Sequence, residues 1–260
     1  MGFQETSTYI GGFLMQIKYE INVSNFNMIP GCPIAYWASK NVFAAFKNPP
    51  IESFGIACKG LDTCDNDTFV RNWSEVCSNK IGFEANSNAE TFKNKWFIYC
   101  KGGDYRRWYG NNDKVVLWEN DGKVLRNFKD QNGKLKSRPQ NTKYYFSDGL
   151  TFNSISSSYR AIRFMKHSVF GGGGSGLFLL NENNIKPIAG LINSNTSAYL
   201  FKFINSGLNF LVGDLLKIPY IEDKGSKNKI DSLVDENITA SKSDWDSFEA
   251  SWGFKKHPLI

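Results

Sequence analysis

A chain of 260 residues with 41% hydrophobic and 22% charged side chains has a globular composition, neither disordered nor fibrous. That length buries roughly three quarters of the unfolded surface, so one substantial core needs no disulfides. The net charge of +6 is unevenly spread: residues 93–143 hold thirteen Lys/Arg against five Asp/Glu, a local +8 that leaves the remainder at −2.

No apolar run reaches membrane-spanning length, and no membrane partner is expected. Five cysteines (Cys32, Cys58, Cys64, Cys77 and Cys100) are odd in number and irregularly spaced, lack a C-x-x-C pair, and have only His167 and His257 beside them. Such a set does not make a zinc site. Reduced thiols in a cytoplasmic protein fit better.

In chain order, Phe13–Ile17 reads as a strand and Asn22–Asn27 as a loop. The spacing of Ile34, Trp37 and Ala38 after Pro33 predicts a helix that ends before Asn48-Pro49-Pro50. That tripeptide matches part of the Asn/Asp-Pro-Pro-aromatic motif of amino-methyltransferases, but Ile51 stands where the aromatic belongs, so it reads as a helix stop. Phe54–Cys58 is a short strand, and Lys59–Thr68 is a polar loop re-entering a strand at Phe69.

Lys95–Lys101 and Lys114–Trp118 are predicted strands flanking the densest basic and aromatic stretch, Lys101–Asn112. Asp121-Gly122 and Asn132-Gly133 are turn signals. Arg138–Lys143 is a second exposed polar segment, before strands at Leu150–Phe152 and Tyr159–Met165. Gly171–Gly176 lacks the Gly-Lys-Ser/Thr ending of a phosphate-binding loop and reads as a flexible turn before a strand at Leu177–Leu180. Ile185–Asn205 carries a helical pattern, and a last helix is predicted with Ser243 as cap and Trp245, Phe248 and Trp252 on one face.

Cations, amides and rings together have a physical use on nucleic acid. Fixed positive charge holds phosphates with strong salt dependence. Planar Arg and amide groups pair with base edges, and aromatic rings stack on bases. The alternative is that Trp108, Tyr109 and Trp118 are core and the lysines merely solvate a surface. No nucleophile–base pair and no nuclease-like cluster of carboxylates with a lysine is recognisable, which weighs against a self-contained enzyme.

Several segments carry a more specific likeness: Ile29–Trp37, Lys59–Phe69, Lys101–Asn112, Trp118–Gly122, Ser137–Thr142, Leu208–Tyr220 and Ser243–Trp252. With these the chain resembles the C-terminal target-recognition region of adenine-specific DNA methyltransferases of the phage-defence (BREX, PglX) type, and more distantly the specificity domains of fused restriction–modification enzymes. One departure is Cys64, where the wider family has glycine after threonine. A larger one is that the family's cofactor-binding turn and catalytic strand precede this region and are not found here.

The resemblance implies an α+β, mixed-sheet globule with a flanking helix and a helical tail. It divides the chain into a connecting segment (1–52), a DNA target-recognition domain (53–221) and a tail (222–260). Duplex DNA, a methyltransferase catalytic domain and other defence subunits are the implied partners. S-adenosylmethionine is expected on the catalytic domain and no cofactor on this chain. Lys59, Asp62, Thr63 and Asn66 are implied as a first DNA-facing loop. Lys101, Tyr105, Arg106, Arg107, Trp108 and Tyr109 make a second, and Arg138, Gln140, Asn141 and Lys143 a third. The competing expectation is a protein–protein module of the same defence complex, using the Trp245, Phe248 and Trp252 face.

Overall fold

The computed structural model describes residues 6–10, 13–17, 22–153, 161–205, 207, 211–257 and 259. The chain begins with β1 (Thr6–Ile10), β2 (Phe13–Ile17), α1 (Lys40–Ala45), β3 (Gly55–Cys58), α2 (Asn66–Phe69) and β4 (Val70–Asn72). Then come β5 (Ile81–Gly82), β6 (Trp96–Cys100), β7 (Lys114–Leu117), α3 (Glu119–Arg126), β8 (Gly149–Asn153) and β9 (Ile162–Met165). It closes with β10 (Val169–Phe170), β11 (Gly174–Leu179), α4 (Ile185–Ile192), α5 (Asn195–Ile204), α6 (Val212–Leu216) and α7 (Lys227–Trp245).

The architecture is α+β with two principal sheets. One is antiparallel throughout, in the order β3-β11-β8-β9. Leu150, Phe152, Ile162 and Leu177 from its strands pack against Ile188 and Ile192 of α4, Phe201 of α5 and Leu215 of α6. The other sheet is mixed, in the order β10-β6-β7-β4, with β5 also paired to β6. Its core is mostly aromatic, from Phe97, Tyr99, Trp118, Tyr145, Phe146 and Phe170. The β-branched and aromatic runs of β6 and β7 suit this buried pleated surface. Because β6 and β7 are antiparallel neighbours, with Ile98 opposite Val115, residues 101–113 form the connection projecting from their shared end. No helix among the described residues is long and apolar enough to cross a membrane.

The strands expected at Phe13, Phe54, Lys95, Lys114 and Leu150 are present within a residue or two. The strand expected at Tyr159–Met165 is seen from Ile162; Tyr159 and Arg160 lie outside the described residues. Asn22–Asn27 is not a loop: Val23–Met28 is a 3-10 helix, with the Asn22 side chain accepting from the Ser24 amide.

Three helix expectations are corrected. The helix at Pro33 does not form, and α1 starts at Lys40. Gly31 and Cys32 take positive φ, and Ile34 and Trp37 are exposed whereas Ala35 is buried, so the apolar residues share no face. Ile185–Asn205 is two helices, because Ser194 caps a fresh start by accepting from the Ser197 amide. The tail helix ends at Trp245 instead of beginning at Ser243.

Gly171–Gly176 is not a flexible turn. A Cβ at Gly171 would lie 2.6 Å from the Tyr99 hydroxyl, and one at Gly174 would lie 2.5 Å from the Cys100 carbonyl. The glycines let β11 and its entry pass close against β6, so the strand starts at Gly174.

Candidate nucleic-acid interface

The first and third loops are built into one surface. Asp62 N–H donates to the Arg138 carbonyl at 3.1 Å, and Arg138 N–H donates to the Asp62 carbonyl at 2.7 Å. Asn141, in the left-handed conformation, adds a side-chain bond from Nδ2 to the Lys59 carbonyl at 2.9 Å. Lys59, Asp62, Asn66, Arg138, Gln140, Asn141 and Lys143 are all exposed on it.

Short-range chemistry shapes the first loop. The Asp62 carboxylate accepts from the Cys64 amide at 3.2 Å, and Cys64 takes positive φ where a glycine would sit freely. Asp65 caps α2, accepting from the Thr68 amide and hydroxyl, and these bonds hold its carboxyl below the usual range. Thr63 is buried and donates to Asn66 Oδ1 at 2.9 Å, so it positions the loop and presents nothing outward.

Beside this face stands a hairpin to which the sequence alone gives no role. Lys129 bridges to Leu135 around Asn132-Gly133, and Phe128 packs edge-on against Phe69. It presents Lys136, whose ammonium lies 4.8 Å from the Phe128 ring and whose charge acts on Asp65. Lysines on either side of an Asn-Gly turn were the available signal. Among the described residues Lys59, Lys136, Arg138 and Lys143 are held in no ion pair. Lys143 sits 5.0 Å from the Tyr144 ring, which itself stacks on Phe178.

The second loop is reached through the glycine run. Gly172 N–H donates to the Leu61 carbonyl and Gly171 N–H to the Cys100 carbonyl, at 3.1 and 3.0 Å. This places Lys101, half-buried, one residue beyond that junction. The loop is then pinned from inside. Arg163, 1% exposed, donates to Asn153 Oδ1 at 2.9 Å and to the Arg106 carbonyl at 3.3 Å, and Asn153 Nδ2 donates to the Gly103 carbonyl at 2.6 Å. Among the described residues Arg163 has no carboxylate partner, and burial lowers its pKa from the ordinary guanidinium value. Trp108, at positive φ, exchanges backbone bonds with Ile162 and Phe164, and its ring packs against the helix-side core.

The outside of the second loop is covered by α7. Arg106 pairs with Asp244 at 2.7 Å and lies 4.9 Å over the Trp245 ring. Gly110 makes room: a Cβ there would sit 2.7 Å from Arg106 Cδ and 3.1 Å from the Trp245 ring. Ser241 Oγ donates into the carbonyls of Arg107 and Tyr109, at 2.9 and 3.0 Å. Lys242 lies 5.1 Å from the Tyr109 ring. Burial pushes the Tyr109 hydroxyl up, an effect the Lys242 charge opposes. Surface contacts of this kind contribute at most about 1 kcal/mol each. Tyr105 remains exposed, with the Arg107 guanidinium 5.7 Å from its ring.

The tail rings, expected to pack on a partner surface either on this domain or outside this chain, mostly find it within the chain. Trp245 lies beneath Arg106, and Trp252 packs on Phe83 with ring centroids 5.5 Å apart. Only Phe248 stays half in solvent, at 49%. Of the other two rings in doubt, Trp118 is wholly buried and donates to Asn88 Oδ1, while Tyr109 is half-buried under α7.

The two segments with a methyltransferase-like or nucleotide-loop pattern are both engaged within the fold. Asn48 Nδ2 is spent on the carbonyls of Ala44 and Ala45, closing α1, and the Pro49 carbonyl accepts from Tyr220 N–H. Both groups that would hold a target amine are therefore engaged. The glycine run, filled by β6 backbone and the Tyr99 hydroxyl, leaves no cradle.

No family model matches the chain. Two curated proteins do. The adenine-specific methyltransferase BrxX of Escherichia coli O9:H4 (strain HS) is 37% identical over 242 residues, 91% of this chain and 19% of its own length. The adenine-specific methyltransferase PglX of Lacticaseibacillus casei (strain Zhang) is 31% identical over 246 residues, 93% of this chain and 20% of its own. The chain therefore spans about a fifth of the curated relatives it matches, and over nearly all its own length it is similar to one segment of two adenine-specific methyltransferases.

Proposed function

We propose that this chain is a DNA-recognition module serving an adenine-specific methyltransferase of a phage-defence system. The observation that carries this reading is the joining of the Lys59–Asn66 and Arg138–Lys143 loops into one exposed face of cations and amides. Lys59, Lys136 and Lys143 suit phosphates, whereas Arg138 and Gln140 suit base edges. Asn141 is a positioning group, since its amide nitrogen is already committed to Lys59. Adenine extrusion and N6 methylation from S-adenosylmethionine would belong to a catalytic domain outside this chain. The names of the two relatives support the assignment to that chemistry.

Duplex binding followed by fluorescence anisotropy across a salt series tests this. Lys59→Ala and Lys143→Ala should each weaken binding and lower the salt slope by about one, whereas Arg138→Ala should cost about 1–3 kcal/mol and relax base preference. Parent-like binding by the triple variant would remove this face from the reading.

A second reading has its own observation. Ile34, Trp37 and Tyr199 are 60%, 52% and 45% exposed, with Trp37 stacked on Phe203. Such a patch suits another subunit of the defence complex. Recovery of partner subunits with a Trp37→Ser variant, compared with the parent, separates the two readings.

A further inference from the structure

Only Val234 of the nineteen residues of α7 is buried. The helix rests on α4, where a Cβ at Gly190 would lie 3.4 Å from Val234 Cγ2, and cavities open elsewhere along it. One cavity, of about 470 Å³, reaches from Trp108 and Leu191 to Ile230 of the helix. Another, of about 890 Å³, reaches from Tyr109 and His167 to Ile238 and Lys242. Beyond that narrow apolar contact the helix is held mainly by polar clasps. Lys186 pairs with Asp235 at 2.7 Å near its middle; Ser241 and Asp244 engage the second loop near its end.

Asp244 places a carboxylate on a guanidinium where a phosphate oxygen would otherwise bind, because both anions offer Arg the same paired acceptors. The Asp244 side chain is 61% exposed and that of Arg106 only 23%, so the carboxylate can leave into water while the arginine stays positioned. The arginine's carbonyl is meanwhile fixed from below by Arg163.

From these contacts we infer that α7 is a strap whose Asp244 occupies the phosphate site of Arg106, and that duplex DNA displaces it. This rests on the DNA-binding reading. The lifted helix carries away Ser241 and Trp245 together, exposing Arg106 and the backbone of Arg107–Tyr109 to the duplex. Loop one and loop three would then hold DNA in the resting state, and loop two would add its contact after the strap opens.

The test uses the full chain and a DNA duplex, with Asp244→Asn made in the parent and in an Arg106→Ala background. Asp244→Asn should tighten binding by about fivefold and steepen the salt slope by about one. The gain should vanish when Arg106 is alanine. Hydrogen exchange should show the amides of residues 238–245 opening faster when duplex is added. A parent that binds while Asp244→Asn binds equally or less well overturns the strap and leaves the DNA reading standing. Increased protection of α7 on adding duplex also overturns it. If neither protein binds, the DNA reading falls, and the strap falls with it.

Discussion

Asp62 and Arg138 exchange two backbone hydrogen bonds, although one lies in the loop after β3 and the other in the loop before β8. That exchange fixes the spacing of the exposed charges around it, with Asn141 as a second tie. Asn141→Gly keeps the left-handed backbone and deletes only the side-chain tie. It should weaken duplex binding with the salt slope unchanged, since no charge is lost. Lys143→Ala, which removes a phosphate contact, should change both quantities. A slope that falls in Asn141→Gly as well would mean the loops reorganise and do not merely loosen.

The glycine run offers an internal comparison. Gly174→Ala drives a methyl group to 2.5 Å from the Cys100 carbonyl, whereas a Cβ at Gly172 meets nothing within 4 Å. Urea denaturation should show a loss of about 1–3 kcal/mol for the first. The second should stay within about 0.5 kcal/mol. Equal midpoints for both would show that the strands can separate at no cost.

Arg163 is a buried cation whose bonds go to an amide oxygen and a carbonyl oxygen. Arg163→Met keeps the volume and removes the donors, leaving the Asn153 amide oxygen of β8 and the Arg106 carbonyl of the second loop unmet. A loss of about 1–3 kcal/mol follows, with faster exchange of the amides of residues 103–107. Unaltered exchange in that segment would show the loop to be held by other contacts.

Alkaline pH should destabilise the fold. Burial pushes the Cys58 thiol up to about 11, with Lys143 opposing, and burial also raises the hydroxyls of Tyr99 and Tyr145. An unfolded thiol ionises near pH 8.5, so above that value the folded chain binds more protons than the unfolded one. Stability is then fully present below about pH 8.5 and falls as pH rises through the folded value. Urea midpoints measured across that window check the sign. Thiol labelling at neutral pH gives a companion result: Cys32, Cys64 and Cys77 are exposed and should react first, half-buried Cys58 should lag, and buried Cys100 should wait for unfolding.

The strands were legible because period and composition suffice for elements packed on one sheet, as at β6 and β7. Helix limits were less so. The Pro33 segment has helical spacing but uses it to bury Ala35 alone, and a turn of positive φ precedes it. Charge clustering located the second loop, yet composition carries no information about coverage by a distant element, and α7 covers Arg106. The tie between the first and third loops was equally invisible, being made by backbone groups that every residue has. Phe128 and Lys136 were passed over because a short turn between lysines looks like ordinary solvated surface until Phe69 is known to sit beneath it.

The outer edge of β9 has one last consequence. Asn193 Oδ1 accepts from Ile162 N–H and its Nδ2 donates back to the Ile162 carbonyl, while Trp108 bonds to the same strand. A side-chain amide thus stands in for a neighbouring strand at one position and a loop tryptophan at the next. With Ile162 and the Phe164 N–H engaged, that rim offers a stray extended chain a broken ladder. Replacing Asn193 would leave the Ile162 N–H without its acceptor and its carbonyl held by Trp108 alone, giving that margin of the sheet a route to self-association.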